Sequence, residues 1–142
     1  MTEPELLHPS ERELELYGEL VATYRDLQAM LTDEHAAVDP AGLAAGHKRA
    51  EAATAELRAI AAALGPWRLA AEAVPAAVTR LWRASASLAA EAAAANAELA
   101  NRARARQARL SSRLAELGHG RRGLAGYRPA GGPRALAIEQ RA

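Results

Sequence analysis

The chain has 142 residues, of which 50% are hydrophobic and only 4% are aromatic. Alanine, with 39 copies, and leucine, with 19, supply most of the apolar content, whereas valine and isoleucine together number six. Strands favour β-branched and aromatic residues, while helices favour alanine and leucine. The composition therefore excludes an all-β fold, argues against a parallel α/β sheet and predicts a single all-α domain.

Cysteine is absent, so the sequence excludes disulfides, thiolate metal ligands and a cysteine nucleophile. The first 25 residues contain six glutamates and no long apolar run, so no secretory signal peptide is expected. Because no 18 consecutive residues lack a charged side chain, we also expect no membrane span. The expected location is the cytoplasm.

The net charge of +1 conceals an uneven distribution along the chain. Residues 1–60 carry 12 acidic and five basic side chains, a net charge of −7. Residues 61–142 carry five acidic and 13 basic side chains, a net charge of +8. We expect the two halves to pack together and attract each other, the alternative being that each half faces a different partner.

The first predicted helix follows an irregular lead-in that contains Pro4 and Pro9. Ser10 is a favourable N-cap, and Glu13 stands in the capping-box position three residues later. Apolar side chains then recur at steps of three and four as far as Val38, which predicts an amphipathic helix.

The second predicted helix begins at Asp39-Pro40, a pair typical of an N-cap followed by the first helical residue. Gly65-Pro66 predicts its end. Because the first two helices have similar lengths and a short link, we expect an antiparallel hairpin.

The third predicted helix covers about residues 75–117 and ends at Gly118 and Gly120. Its centre is rich in alanine, so it brings helix axes close but buries little surface per residue. The predicted fold is an elongated antiparallel three-helix bundle with a long third helix, which forms a helical domain over residues 1–120. The glycine-rich and basic segment 121–142 is predicted to be a flexible tail.

No catalytic constellation is present in the sequence. The four histidines form no metal-binding pair, although His35 and His47 could face each other across the hairpin. The glycines of 118–126 follow a helix and lack the Lys-Ser or Lys-Thr of a phosphate-binding loop. We therefore expect no enzyme activity, no cofactor and no metal ion.

Five arginines are concentrated at the end of the third helix, and four of them share one helical face. They are Arg102, Arg104, Arg106, Arg109 and Arg113. A nucleic-acid interface would use such a stripe, but no aromatic residue is interleaved and the whole chain is nearly neutral. We expect these arginines to be solvated or paired with the acidic first helix.

Four stretches of the chain resemble the FlgN family of flagellar export chaperones, which are cytoplasmic helical proteins of type III secretion. Residues 20–38 are similar to the family's opening helix, and residues 39–64, with Leu43, Lys48 and Leu57, to its second helix. Residues 96–117 resemble its asparagine-rich final helix with a leucine repeat, and 126–131 resembles its Tyr-Gly-x-x-Gly tail motif.

The resemblance implies a chaperone that binds the C-terminal helical segments of hook–filament junction proteins and delivers them to the export gate. The implied client-binding residues are Leu99, Ala103, Leu110, Leu114 and Leu117. The resemblance assigns docking on the export-gate protein to Tyr127. The alternative is that the leucines are core residues, which we favour for Leu99 and leave open for the last three.

Two other functions stay open at this stage. One is a basic helical protein that associates with nucleic acid through its arginines, and the other is a homodimeric scaffold that pairs through its alanine-rich seam.

Overall fold

The computed structural model describes residues 2–33 and 37–126, with side chains as far as residue 120. Every regular element of this part of the chain is helical, which confirms the predicted all-α class. The elements are α1 (Glu3–Thr32), α2 (Pro40–Leu69), a short 3-10 helix (Ala71–Ala73) and α3 (Ala76–Gly126). The chain divides into two units, residues 1–104 and 105–142, and the division falls among the residues of α3.

α1 begins earlier than the sequence predicts. Its N-cap is Thr2, whose backbone N–H donates to Glu5 Oε2 at 2.6 Å. Pro4 lies in the first turn, where its missing N–H leaves no carbonyl unsatisfied. The prediction that Ser10 starts the helix is therefore wrong, because Ser10 lies inside α1 and is fully buried.

Packing explains why α1 continues through Pro9. A proline inside a helix destabilises it by about 3 kcal/mol because one backbone hydrogen bond is lost. The turn before Pro9 carries Leu6, which is 2% exposed and packs with Leu64 of α2 and Val78 of α3. Burial of a leucine contributes roughly 1.5–3 kcal/mol, enough to offset much of the proline's effect.

The predicted start of α2 is confirmed. Pro40 is its first residue, and the Asp39 carboxylate accepts a hydrogen bond of 3.1 Å from the backbone N–H of Ala41. The predicted end at Gly65-Pro66 is wrong, since the helix continues to Leu69. Trp67, one residue beyond the proline, packs on the cluster around Leu64 and thereby stabilises the last turn.

α3 also outruns its prediction. It begins at Ala76, close to the expected start, but it passes the predicted stop at Gly118 and Gly120 and ends at Gly126. A glycine lowers helix stability by about 1 kcal/mol without preventing the conformation, so a helix can continue through it. The rest of the predicted tail, residues 127–142, lies outside the described residues.

Contacts across the first unit give the direction of each helix. Arg12, early in α1, hydrogen-bonds Glu56 in the second half of α2, whereas Leu27, late in α1, lies against Gly46 near the start of α2. α1 and α2 are therefore antiparallel. α3 runs parallel to α1, because Trp82 bonds Ser10 and, further along both helices, the Gln28 amide donates to the Ala95 carbonyl.

The three helices pack together around two small buried clusters. The first cluster contains Leu16, Leu20, Val21, Ala50, Ala53, Leu57 and Ala92. The second contains Leu6, Leu64 and Val78. Alanines occupy three of the seven positions of the first cluster, but only Ala92 comes from the alanine-rich centre of α3, whereas Ala50 and Ala53 belong to α2. None of the helices in the described part combines the length and apolar character that a membrane crossing requires.

Candidate partner-binding site

Three exposed leucines lie on α3 in the second unit, and we call them the leucine edge. Leu110, Leu114 and Leu117 are 49%, 69% and 66% exposed. Their spacing of four and three residues places them on one face of the helix. Large apolar side chains that remain this exposed and share a face form the kind of patch that binds partners.

The other two predicted client-binding residues belong to the first unit. Leu99 is half-buried and lines a recess together with Tyr24 and Leu27 of α1 and Ala50 of α2. Leu99 is not among the residues of the two buried clusters or among the side chains packed against them. Ala103 is exposed. Tyr127, the predicted export-gate contact, lies outside the described residues.

Basic side chains accompany the leucine edge. Between residues 105 and 120 the helix carries Arg106, Arg109 and Arg113 but a single acid, Glu116. The edge therefore lies in a locally positive part of the surface. This sign of charge favours acidic partners and opposes basic ones.

Arg102, the first arginine of the stripe, is held by the first unit. Its Nε donates to Glu98 Oε1 at 3.0 Å, and one terminal nitrogen donates to Thr32 Oγ1 at the end of α1 at 2.7 Å. The ion pair of Arg102 is therefore with Glu98 of α3 itself, and its contact with α1 is a hydrogen bond to a hydroxyl instead of the expected pairing with an acidic residue.

A buried polar cluster joins the three helices, and sequence reasoning did not find it. Glu13 is 2% exposed and forms an ion pair with Arg68. The Arg68 guanidinium lies 5.2 Å from the centre of the Trp82 ring, and Trp82 Nε1–H donates to Ser10 Oγ at 2.9 Å. The Ser10 hydroxyl donates in turn to the Leu6 carbonyl at 2.7 Å. This network fixes the relative positions of α1, α2 and α3.

Ser85 lies beside this cluster, 2% exposed, and its Oγ has no hydrogen-bond partner. Other helical hydroxyls of the chain, such as those of Thr32 and Thr54, donate to the carbonyl four residues earlier. The recess beside Ser85 is lined by Glu13, Tyr17, Arg68, Trp82, Ser85, Ala86 and Ala89. Because this lining includes a hydroxyl but no histidine or lysine to act as its base, the recess lacks the arrangement of a serine nucleophile.

Ion pairs connect the acidic and basic halves only in part. Arg68–Glu13 and Arg25–Glu91 join the halves, the latter at 3.8 Å. Arg12, however, bonds Glu56 with two nitrogens, at 2.8 and 3.0 Å, within the acidic half itself. The hydrogen bond from Arg12 lowers the pKa of Glu56 below its ordinary value of 4.5.

The histidines show no arrangement for metal binding in the described residues. His47 Nε2 lies 3.0 Å from Glu51 Oε1 on the same exposed face of α2. The described residues contain no group of three or more potential metal ligands placed to hold an ion. His35, which the sequence placed opposite His47, lies outside them.

No model of a known protein family, no curated protein and no solved structure matches the chain. The resemblance to the FlgN family therefore depends on the four stretches of sequence that carry it. The leucine edge and its arginines are the surface features that bear on function.

Proposed function

We propose that this protein is a non-enzymatic, cytoplasmic export chaperone of the FlgN type. Its clients are hook–filament junction proteins, whose C-terminal helical segments it binds and delivers to the export gate. The observation that carries this proposal is the exposure of Leu110, Leu114 and Leu117, which gives α3 an apolar face without a partner in the described chain.

The physical basis is the docking of one amphipathic helix on another. A client segment that lays its own apolar face on the leucine edge removes both faces from water. Each leucine that becomes buried contributes about 1.5–3 kcal/mol, from which the ordering of the client segment must be subtracted. The resulting modest affinity suits a carrier that has to release its client.

The proposal also includes two residues of the first unit. Ala103 is exposed and small, so it permits close approach of a client helix. Leu99 is half-buried, and the accessible part of its side chain contacts the client. Docking on the export-gate protein is assigned to Tyr127.

The test is co-purification with a hook–filament junction protein. Leu114→Asp and Leu117→Asp place a charge in the apolar contact, and we expect both to abolish client binding. The control is Leu69→Asp, which changes a leucine on α2 that is 93% exposed and does not belong to the leucine edge. We expect Leu69→Asp to bind like wild type, with equal helicity of all variants in circular dichroism. Equal binding by all four proteins would remove α3 from the client site.

Export-gate docking is tested separately. We expect Tyr127→Ala to retain client binding in solution and to lose delivery in a secretion assay. Normal secretion by this variant would reject the role of Tyr127 and leave the client site untouched.

A further inference from the structure

The arginines around the leucine edge fall into a heptad pattern. If Leu110 and Leu117 take position d, Leu114 takes position a, and these are the two positions that form the seam between paired helices. Positions e and g flank such a seam and determine which partner a helix accepts. The flanking residues are Arg104 and Ser111 at e, and Arg106 and Arg113 at g.

This pattern provides no flanking ion pair if the edge pairs with a second copy of itself. In a two-stranded pair, the side chains at g of one helix lie near those at e of the other. In two parallel copies of α3, position g of one heptad meets position e of the next, so Arg106 would lie near Ser111 and Arg113 near Gly118, and neither contact is an ion pair. A second copy would therefore gain nothing from the flanking charges, whereas a partner with carboxylates at these positions would gain ion pairs.

We propose that the leucine edge accepts an acidic amphipathic helix, with apolar residues on its docking face and glutamate or aspartate on both flanks of that face. The carboxylates would meet Arg104, Arg106 and Arg113, while the apolar side chains cover the three leucines. This proposal rests on the proposed function where it concerns the client, and it specifies the chemical class of the segment that is carried.

Charge around the edge supports this choice of partner. From 105 to 120, arginines outnumber acids by three to one; Arg109 and the one acid, Glu116, both occupy position c, so the charges that flank the seam in this range are Arg106 and Arg113. Charge complementarity at the rim gives specificity and a faster association, while the apolar seam gives the contact area.

The experiment measures binding of the full chain to three synthetic peptides by fluorescence anisotropy. The acidic peptide has leucine at a and d and glutamate at e and g, and the basic peptide has lysine at e and g instead. The scrambled peptide has the composition of the acidic one without the heptad order. We expect the acidic peptide to bind about tenfold more tightly than the basic one, because its carboxylates form several ion pairs of modest strength with the flanking arginines. The preference should decrease at high salt, because exposed charges are screened.

A charge reversal provides the matched test in the protein. We expect Arg106→Glu combined with Arg113→Glu to invert the preference, so that the basic peptide binds more tightly. The control is Arg83→Glu, at an exposed position of α3 in the first unit, which should leave the preference unchanged. Circular dichroism of both variants verifies that each keeps the wild-type helicity.

Several outcomes would overturn the proposal. Equal affinity for the acidic and basic peptides, or binding of neither, shows that flanking charge does not select the partner. If the scrambled peptide binds tightly, or if duplex DNA displaces it, the protein has a general attraction to polyanions. A dimer in sedimentation that Leu114→Asp dissociates shows that a second copy occupies the edge.

The two proposals fail in different ways. If a junction protein binds equally to wild type and to the charge-reversed variant, the chaperone function stands and the acidic specificity is lost. If the acidic peptide binds but no junction protein does, the specificity stands and the flagellar client is wrong.

Discussion

Glu13 and Arg68 form an ion pair between α1 and α2 in which the carboxylate is buried. Glu13 is 2% exposed, and its ion-pair partner Arg68 also covers the Trp82 ring. Removal of one member of a buried pair leaves the other charge without compensation, which is more harmful than removal of both. We expect Arg68→Met to lower the free energy of unfolding by about 2 kcal/mol in urea denaturation.

The double variant Glu13→Gln with Arg68→Met is the control for this first prediction. It removes both charges, so we expect it to recover at least half of the stability that Arg68→Met loses. If the double variant is less stable than Arg68→Met alone, packing and not the loss of the charge pair accounts for the lower free energy of unfolding.

Ser85 is a buried residue whose hydroxyl has no hydrogen-bond partner. A buried hydroxyl without a hydrogen bond destabilises the folded state, since water satisfies it in the unfolded chain. We expect Ser85→Ala to raise the free energy of unfolding by about 1 kcal/mol, part of it from the better helix propensity of alanine. Ser87→Ala, at an exposed position of the same helix, isolates the propensity contribution. Equal gains in the two variants would show that the Ser85 hydroxyl is satisfied in solution.

Glu56 gives a prediction of pH dependence. Its pKa is lowered by the hydrogen bond from Arg12, so the folded state favours the charged carboxylate. A lowered pKa contributes stability above the ordinary value of 4.5 and loses it as the pH falls through the folded value. We expect Glu56→Gln to lower the melting temperature at neutral pH and to have no effect well below pH 4.5.

Arg12 supplies the control for this pH dependence. In an Arg12→Gln background the same Glu56→Gln change should leave the melting temperature unaltered at every pH. A difference that persists in acid would assign the effect of Glu56→Gln to side-chain packing.

At the scale of the elements, substitution of two glycines distinguishes the effect of close helix packing from the effect of helix propensity. A Cβ at Gly46 would lie 2.6 Å from Leu27 Cδ2, on a side chain that is 5% exposed, whereas a Cβ at Gly18 would meet nothing within 4 Å. We expect Gly18→Ala to stabilise the protein by about 1 kcal/mol through helix propensity. Gly46→Ala should destabilise it by roughly 1 kcal/mol, because overpacking outweighs the same gain. Equal stabilisation in thermal unfolding would show that α1 and α2 separate easily at this crossing.

Local sequence signals predicted helix starts and stops with unequal success. Asp39-Pro40 was correct because the cap forms within three residues and needs no tertiary contact. Pro9, Pro66 and Gly118 were expected to lie outside helices, yet all three lie within them. For the two prolines, the neighbouring Leu6 and Trp67 pack on the core, and this energy cannot be calculated from a local pattern.

The candidate site, like the helix ends, was predicted from the sequence only in part. The three-and-four spacing identified Leu110, Leu114 and Leu117 but could not decide between core and surface, because both produce the same stripe. The polar cluster was not predicted, since Glu13, Arg68 and Trp82 lie on three different helices and only the packing of these helices brings them together.

At the scale of the whole molecule, the residues that hold the fold and those that offer the leucine edge occupy different parts of the chain. The buried hydrophobic residues of the described structure lie between Leu6 and Ala92, within the first unit. The leucine edge belongs to the second unit. We therefore expect that the leucine edge can be removed without loss of the core.

Truncation after Arg104 tests this separation. The shortened chain retains both buried clusters and the Glu13–Arg68 pair, so we expect its melting temperature to differ from that of the full chain by less than about 4 °C. Binding of junction proteins and of the acidic peptide should disappear, because the leucine edge and two of its three flanking arginines are removed. A full-length chain with Leu114→Asp serves as the matched control, since it should lose binding with the whole helix present. If truncation lowers the melting temperature by much more than this limit, residues 105–142 support the core. The leucines of the edge would then be structural, and the client site would have to lie elsewhere on the bundle.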